Sequence, residues 1–100
     1  MIKDDVLYLI SEDPAAHGVF DEPVETRRMV YCTVSSVGRN EFYRAREYGL
    51  EPELVFILSD QIEYQGEKLA VYHGKRYQII RTYVSGSSIE LTCEEAKVDA

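Results

Sequence analysis

The sequence predicts a mainly β fold: a small antiparallel β-barrel of about six strands, with one short helix in a long connection. Three observations carry this expectation. Short β-prone runs recur between turn residues, the second half strings three of them together through glycine-containing turns, and nowhere do strand and helix patterns alternate as βαβ units require. One hundred residues suit one domain spanning 1–100. Area scaling gives a folded surface of about 5,800 Å² against roughly 16,700 Å² extended, so about 65% can be buried.

The elements follow in order. Asp5–Ile10 is apolar and β-prone and is stopped by the cluster Ser11-Glu12-Asp13-Pro14, which predicts a first strand. Ser11 to Pro23 holds two prolines, one glycine and several carboxylates without periodicity, which predicts a long surface loop. From Val24 to Val37, Met29, Tyr31 and Thr33 alternate with Val30, Cys32 and Val34, the pattern of a long strand whose faces meet different surroundings. Gly38 to Gly49 predicts a two-turn helix: Asn40 is placed to cap it, Gly49 to end it and Pro52 to prevent its resumption, while Phe42 and Ala45 share a face for the core.

Leu54–Leu58 is a continuous apolar run of strand length and predicts a central strand covered on both faces. After Gln61–Lys68, the runs Leu69–Tyr72, Arg76–Val84 and Ile89–Cys93 predict a meander, with turns at His73-Gly74-Lys75 and Ser85–Ser88. In the last run Ile89, Leu91 and Cys93 should face the core, and Glu90, Thr92 and Glu94 water. Glu95 to Ala100 reads as a frayed tail.

Charge narrows the function. The formal net charge is −7, whereas proteins that hold nucleic acid by neutralising phosphates carry clustered Lys and Arg. The islands Arg39/Arg44/Arg46 and Lys75/Arg76/Arg81 are bracketed by Glu or Tyr and read as solvated faces or ion-pair partners, ahead of phosphate contacts. The N-terminal stretch carries Lys3, Asp4 and Asp5 and does not resemble a secretory signal, and no apolar run reaches membrane-spanning length. Cys32 and Cys93 read as buried free thiols, with no disulfide framework.

Catalytic chemistry finds little support. Ser11, Asp13 and His17 are near one another in sequence, but a nucleophile needs an oriented base. His73 fits a polar turn position. His17, Cys32, His73 and Cys93 match no zinc spacing, and the six glycines are isolated, so no metal, phosphate loop or cofactor is expected. Eight tyrosines without tryptophan raise base stacking, yet Tyr31, Tyr72, Tyr77 and Tyr83 fall on strands where aromatics fill cross-strand pairs.

The residues from Thr26 to Glu95 resemble a known family. The likeness lies in the long strand Val30–Val37, the helical segment Phe42-Tyr43-Arg44-Ala45, the apolar run Leu54–Leu58 and the turn with Ile62. It continues through the hairpin Val71-Tyr72-His73-Gly74-Lys75-Arg76-Tyr77-Gln78-Ile79 and a last strand ending Leu91-Thr92-Cys93-Glu94. This pattern resembles the head-tail joining, or head-closure, proteins of long-tailed phages; Thr26 to Met29 stand where that family carries a tryptophan.

The resemblance implies a β-barrel subunit, without enzymatic activity, that joins its copies in a ring, dodecameric in that family. The ring would lie beneath the portal and adaptor proteins in the neck of the virion, assembled in the host cytoplasm. It would close the DNA-filled head and offer a surface to tail-terminator or tail proteins. DNA would pass without sequence-specific binding, in keeping with the acidic balance. The candidate contacts are Glu12, Asp13, His17 and Phe20 in the first long loop, and Arg39, Asn40, Glu41, Tyr43, Arg44, Arg46, Glu47 and Tyr48 in the second connection. The alternatives are a tail-side completion protein of the same machinery and a single-strand-binding barrel.

Overall fold

Strand alternation sets which side chains point inward, and closure of the sheet turns those positions into one interior. The computed structural model describes residues 5–17 and 23–96, with side chains placed for 5–11 and 25–96. It forms β1 (Asp5–His17), β2 (Pro23–Ser36), α1 (Arg39–Glu47), β3 (Pro52–Leu58), β4 (Leu69–Tyr72), β5 (Lys75–Ser85) and β6 (Ser88–Glu95), with a 3₁₀ turn at Gln61–Glu63. The strands close as β1-β2-β3-β6-β5-β4, all pairs antiparallel. The expected mainly β, six-stranded barrel with one short helix between β2 and β3 is what forms.

Leu7 and Leu9 of β1, Val30 and Cys32 of β2, Phe56 and Leu58 of β3, Ala70 of β4, Tyr77 of β5, and Ile89, Leu91 and Cys93 of β6 build the interior. Phe56, without exposure, meets the rings of Tyr72 at 5.1 Å and Tyr77 at 5.7 Å. Such aromatic contacts add about 0.5–1.5 kcal/mol to the area they bury. Cys32 and Cys93 are buried thiols not joined in a disulfide, and burial pushes the Cys93 thiol up to about 12.

The meander is closed by tight turns. His73 and Gly74 take φ of 51° and 77°, the double positive φ of a type I′ hairpin, whose twist matches the strands it joins. The His73 ring stacks on Tyr72 at 4.0 Å.

The first long loop is a correction. β1 continues past Ile10 to His17 and pairs with β2 as far as His17↔Pro23, so Glu12, Asp13 and His17 stand on a strand. Between Asp13↔Val24 and His17↔Pro23 the register shifts, and Pro14 to Ala16 have no partner on β2. A proline is tolerated there because this part of β1 is an edge, where a missing N–H breaks no ladder. Phe20 lies outside the described residues.

This two-stranded ribbon helps explain a surface of 7002 Å² and extents of 44 × 30 × 22 Å, larger than the roughly 5,800 Å² that scaling gives for a compact chain of this mass.

The end of the barrel beneath the ribbon is closed by the segment before β4. Glu67, only 6% exposed, accepts from Arg28 Nη2 at 2.5 Å and from the Gln65 N–H at 2.7 Å, and Tyr64 Oη donates to the Glu67 carbonyl at 2.6 Å. A buried carboxylate is tolerated when paired and hydrogen-bonded in this way.

Candidate interaction surface

The helix between β2 and β3 departs from expectation at both its start and its face. Gly38, with extended φ and ψ, is the N-cap and makes no side-chain cap; Asn40 is already helical and exposed. The C-terminus is a Schellman motif: the Gly49 N–H donates to the Arg46 carbonyl and the Leu50 N–H to the Ala45 carbonyl, both at 3.0 Å, with Gly49 at φ 77°. Gly49 therefore ends the helix as its position predicts.

No residue of α1 is buried. Phe42, expected in the core, is 37% exposed and meets Tyr43 edge-on at 6.0 Å. The reason is that the strands already fill the barrel, leaving α1 to lie on the outside.

Polar bonds hold it there. Glu41 accepts from Thr92 Oγ1 at 3.2 Å and pairs with Arg81 at 3.5 Å, and Arg46 pairs with Glu51 at 2.8 Å. Thr92, expected to be wet, is 5% exposed under this contact, and its register partner Val55 is 5% exposed on the same outer face. That covering of Val55 makes β3 apolar on both faces, as its sequence predicts.

Between α1 and the barrel wall lies a hollow of about 180 Å³, lined by Arg44, Ala45, Tyr48, Leu50, Ile80 and Arg81 among others. Tyr43 and Tyr48 are 62% and 79% exposed. Arg39 and Arg44 have no ion pair or hydrogen bond among the described residues. Lys75 pairs with Glu53 and Glu95, and Arg76 through both nitrogens with Glu25. The Arg76 hydrogen bonds hold the Glu25 carboxyl below the usual carboxylate range.

Of the sequence-predicted contacts, Arg39, Asn40, Glu41, Tyr43, Arg44, Arg46 and Glu47 come together on α1, with Tyr48 as its C-cap. Glu12, Asp13 and His17 lie on the ribbon, apart from α1, on the other side of the barrel order. Sequence reasoning missed a third surface. Tyr8 pairs with Met29 and with Val71, and Val6 with Tyr31, placing Tyr8, Met29 and Tyr31 together on the outer face at 38%, 49% and 55% exposure. The alternation of Met29 and Tyr31 against Val30 and Cys32 carried that signal, since it put two large apolar residues on the outer side.

A larger hollow of about 630 Å³ opens beside the short β4, lined by Ser11, Thr26, Arg28, Gln65 and Gln78 among others. Arg28 and Glu67 in its lining satisfy each other, and Lys68 also borders it.

The surface that emerges is suited to contact: two exposed tyrosines and two arginines without an ion pair among the described residues, on a helix anchored at both ends. Such groups dominate protein interfaces. No family model matches this chain, and no curated protein matches it.

Proposed function

We propose that this chain is a structural subunit of a phage head-tail connector, forming a ring below the portal and adaptor that closes the DNA-filled head and receives the tail. The observation that carries the reading is α1: a helix that buries none of its residues, fixed by a Schellman cap and by Glu41, and presenting Tyr43, Tyr48, Arg39 and Arg44 outward. The helix buries none of its own residues, and beyond the cover that Glu41 gives Thr92 its side chains are open to a partner. The barrel and the strand–helix–strand order agree with the resemblance of Thr26 to Glu95 to that family.

In this reading the partners are other copies of the chain, portal or adaptor proteins and tail proteins, and its place is the virion neck. DNA crosses the ring without being gripped, because the subunit is acidic overall. The test is a Y43A/Y48A variant supplied to heads that lack the native subunit. Both tyrosines are exposed, so thermal stability should stay within about 0.5 kcal/mol of the parent, while head closure and tail joining should fail. Full tail joining by this variant would contradict the assignment of α1 as the contact element.

A further inference from the structure

Tyr8, Met29 and Tyr31 form an apolar patch on the outer face of β1 and β2. At roughly 200 Å² for a side chain of this size, exposures of 38%, 49% and 55% leave about 300 Å² open. Patches of that size are often functional. On β2 the patch is one row. Residues two apart on a strand share a face, so Arg27 continues the line of Tyr31 and Met29, and it too is exposed. Glu25, the next residue on that face, is held by Arg76, whereas Arg27 has no ion pair among the described residues.

The helix carries a second row. At about 100° per residue, Arg39, Tyr43 and Glu47 fall on the side of α1 opposite Glu41, Ala45 and Tyr48, which border the barrel wall. All three are exposed, and neither Arg39 nor Glu47 has an ion pair among the described residues. Residues four apart on a helix are separated by about 6 Å along its axis, and residues two apart on a strand by about 7 Å. Laid antiparallel, the rows match step for step: Arg39 over Tyr31, Tyr43 over Met29 and Glu47 over Arg27. Each pairing is favourable in kind, a cation on an aromatic face, a ring against a sulfur and an ion pair.

The two rows cannot meet within one chain. α1 is seated over Thr92 of β6 and over Ile80 and Arg81 of β5, and in the closed order β2 stands two strands from β6 and three from β5. We propose that α1 of one copy docks along the outer face of β2 of the next, through Arg39, Tyr43 and Glu47 on Tyr31, Met29 and Arg27. The occupant is a second copy because the helix row complements the sheet row in charge and in spacing. Such a contact joins two different patches and propagates. It rests on the reading of α1 as the contact element and names what α1 touches; closure into a ring rests further on the connector reading.

The test is a charge swap on the full chain, R27E in one variant and E47R in another, followed by sedimentation velocity and native mass spectrometry. Both positions are exposed, so each variant should keep the parent's thermal midpoint and circular dichroism. The parent should self-associate below about 1 mM. Each variant alone sets like charges opposite each other and should lose at least about tenfold in association constant. An equimolar mixture should recover it, because in an alternating series every α1 meets a β2 of opposite charge. R27E/E47R in a single chain should recover it without a partner variant.

A parent that stays monomeric to about 1 mM, variants that associate like the parent, or a mixture without rescue would each overturn the contact. So would association that R27E abolishes and E47R leaves intact, the mark of two β2 faces packed on each other. The same variants added to DNA-filled, tailless heads separate the two ideas. Head closure by R27E and by E47R equal to the parent's would leave the connector reading standing and this contact refuted. Rescue in solution without head binding by the parent would keep the contact and remove the connector.

Discussion

Replacing Glu67 with alanine should be among the most damaging single changes outside the apolar core. Its carboxylate is buried and takes two hydrogen bonds, from Arg28 at 2.5 Å and the Gln65 N–H at 2.7 Å. Hydrogen bonds to charged groups contribute about 1.5–3 kcal/mol each, and orphaning one member of a fully buried pair costs about 3–5 kcal/mol. The Arg28 side chain is 33% exposed and recovers part of its hydration, which places Glu67→Ala near 3 kcal/mol, in the lower part of that range. At 4–8 °C per kcal/mol for a chain of this size, the midpoint should fall by roughly 15 °C.

Thermal unfolding followed by circular dichroism and calorimetry reads this directly, and a double-mutant cycle with Arg28→Met isolates the pair. The cycle should return a coupling of at least about 1 kcal/mol. A cost for Glu67→Ala below about 0.5 kcal/mol, or strict additivity with Arg28→Met, would refute the view that this pair closes the barrel end.

Three further outcomes are expected. Phe56→Ala, at the centre of the interior against Tyr72 and Tyr77, should cost about 3–5 kcal/mol in denaturant unfolding, since the barrel wall cannot collapse into the gap. Cys93, whose thiol burial pushes up to about 12, should resist thiol reagents in the native state at pH 8 and react only on unfolding; rapid native labelling would show that the β6 interior is open. The Glu25 carboxyl is held low chiefly by its hydrogen bonds to Arg76, so its folded-state value lies below its unfolded value. Its contribution to stability is therefore present above the unfolded value and is lost as pH falls through the folded one. Carboxyl NMR should show Glu25 titrating below 4.5 in the parent and moving upward in Arg76→Leu.

What the sequence discloses and what it hides divides along physical lines. The inward side of β6, Ile89, Leu91 and Cys93, and the setting of Val30 and Cys32 on one face of β2 were legible because strand alternation is a local property. The turn at His73-Gly74 was legible because tight hairpins demand particular residues. The length of β1 was hidden because Pro14 and the carboxylates around it look like a loop; only the partner strand, distant in sequence, shows that the edge accommodates them.

The burial of Thr92 was hidden for a related reason. It depends on Glu41, 51 residues away, and on a helix whose Phe42 the local pattern sends inward. Closure of β1 on β4 and the Arg28–Glu67 pair are likewise long-range facts. At the candidate site, the place of Arg39 to Glu47 on one helix was legible because a polar, aromatic stretch between two strands, ended by Gly49, stands out; its separation from Glu12, Asp13 and His17 became visible only with the strand order.

The most direct test of the connector reading is electron cryomicroscopy of DNA-filled, tailless heads incubated with the purified chain. The account predicts a ring of barrels at the portal vertex alone, with the packaged DNA retained. Heads that leak as before and show no added density at that vertex would contradict it.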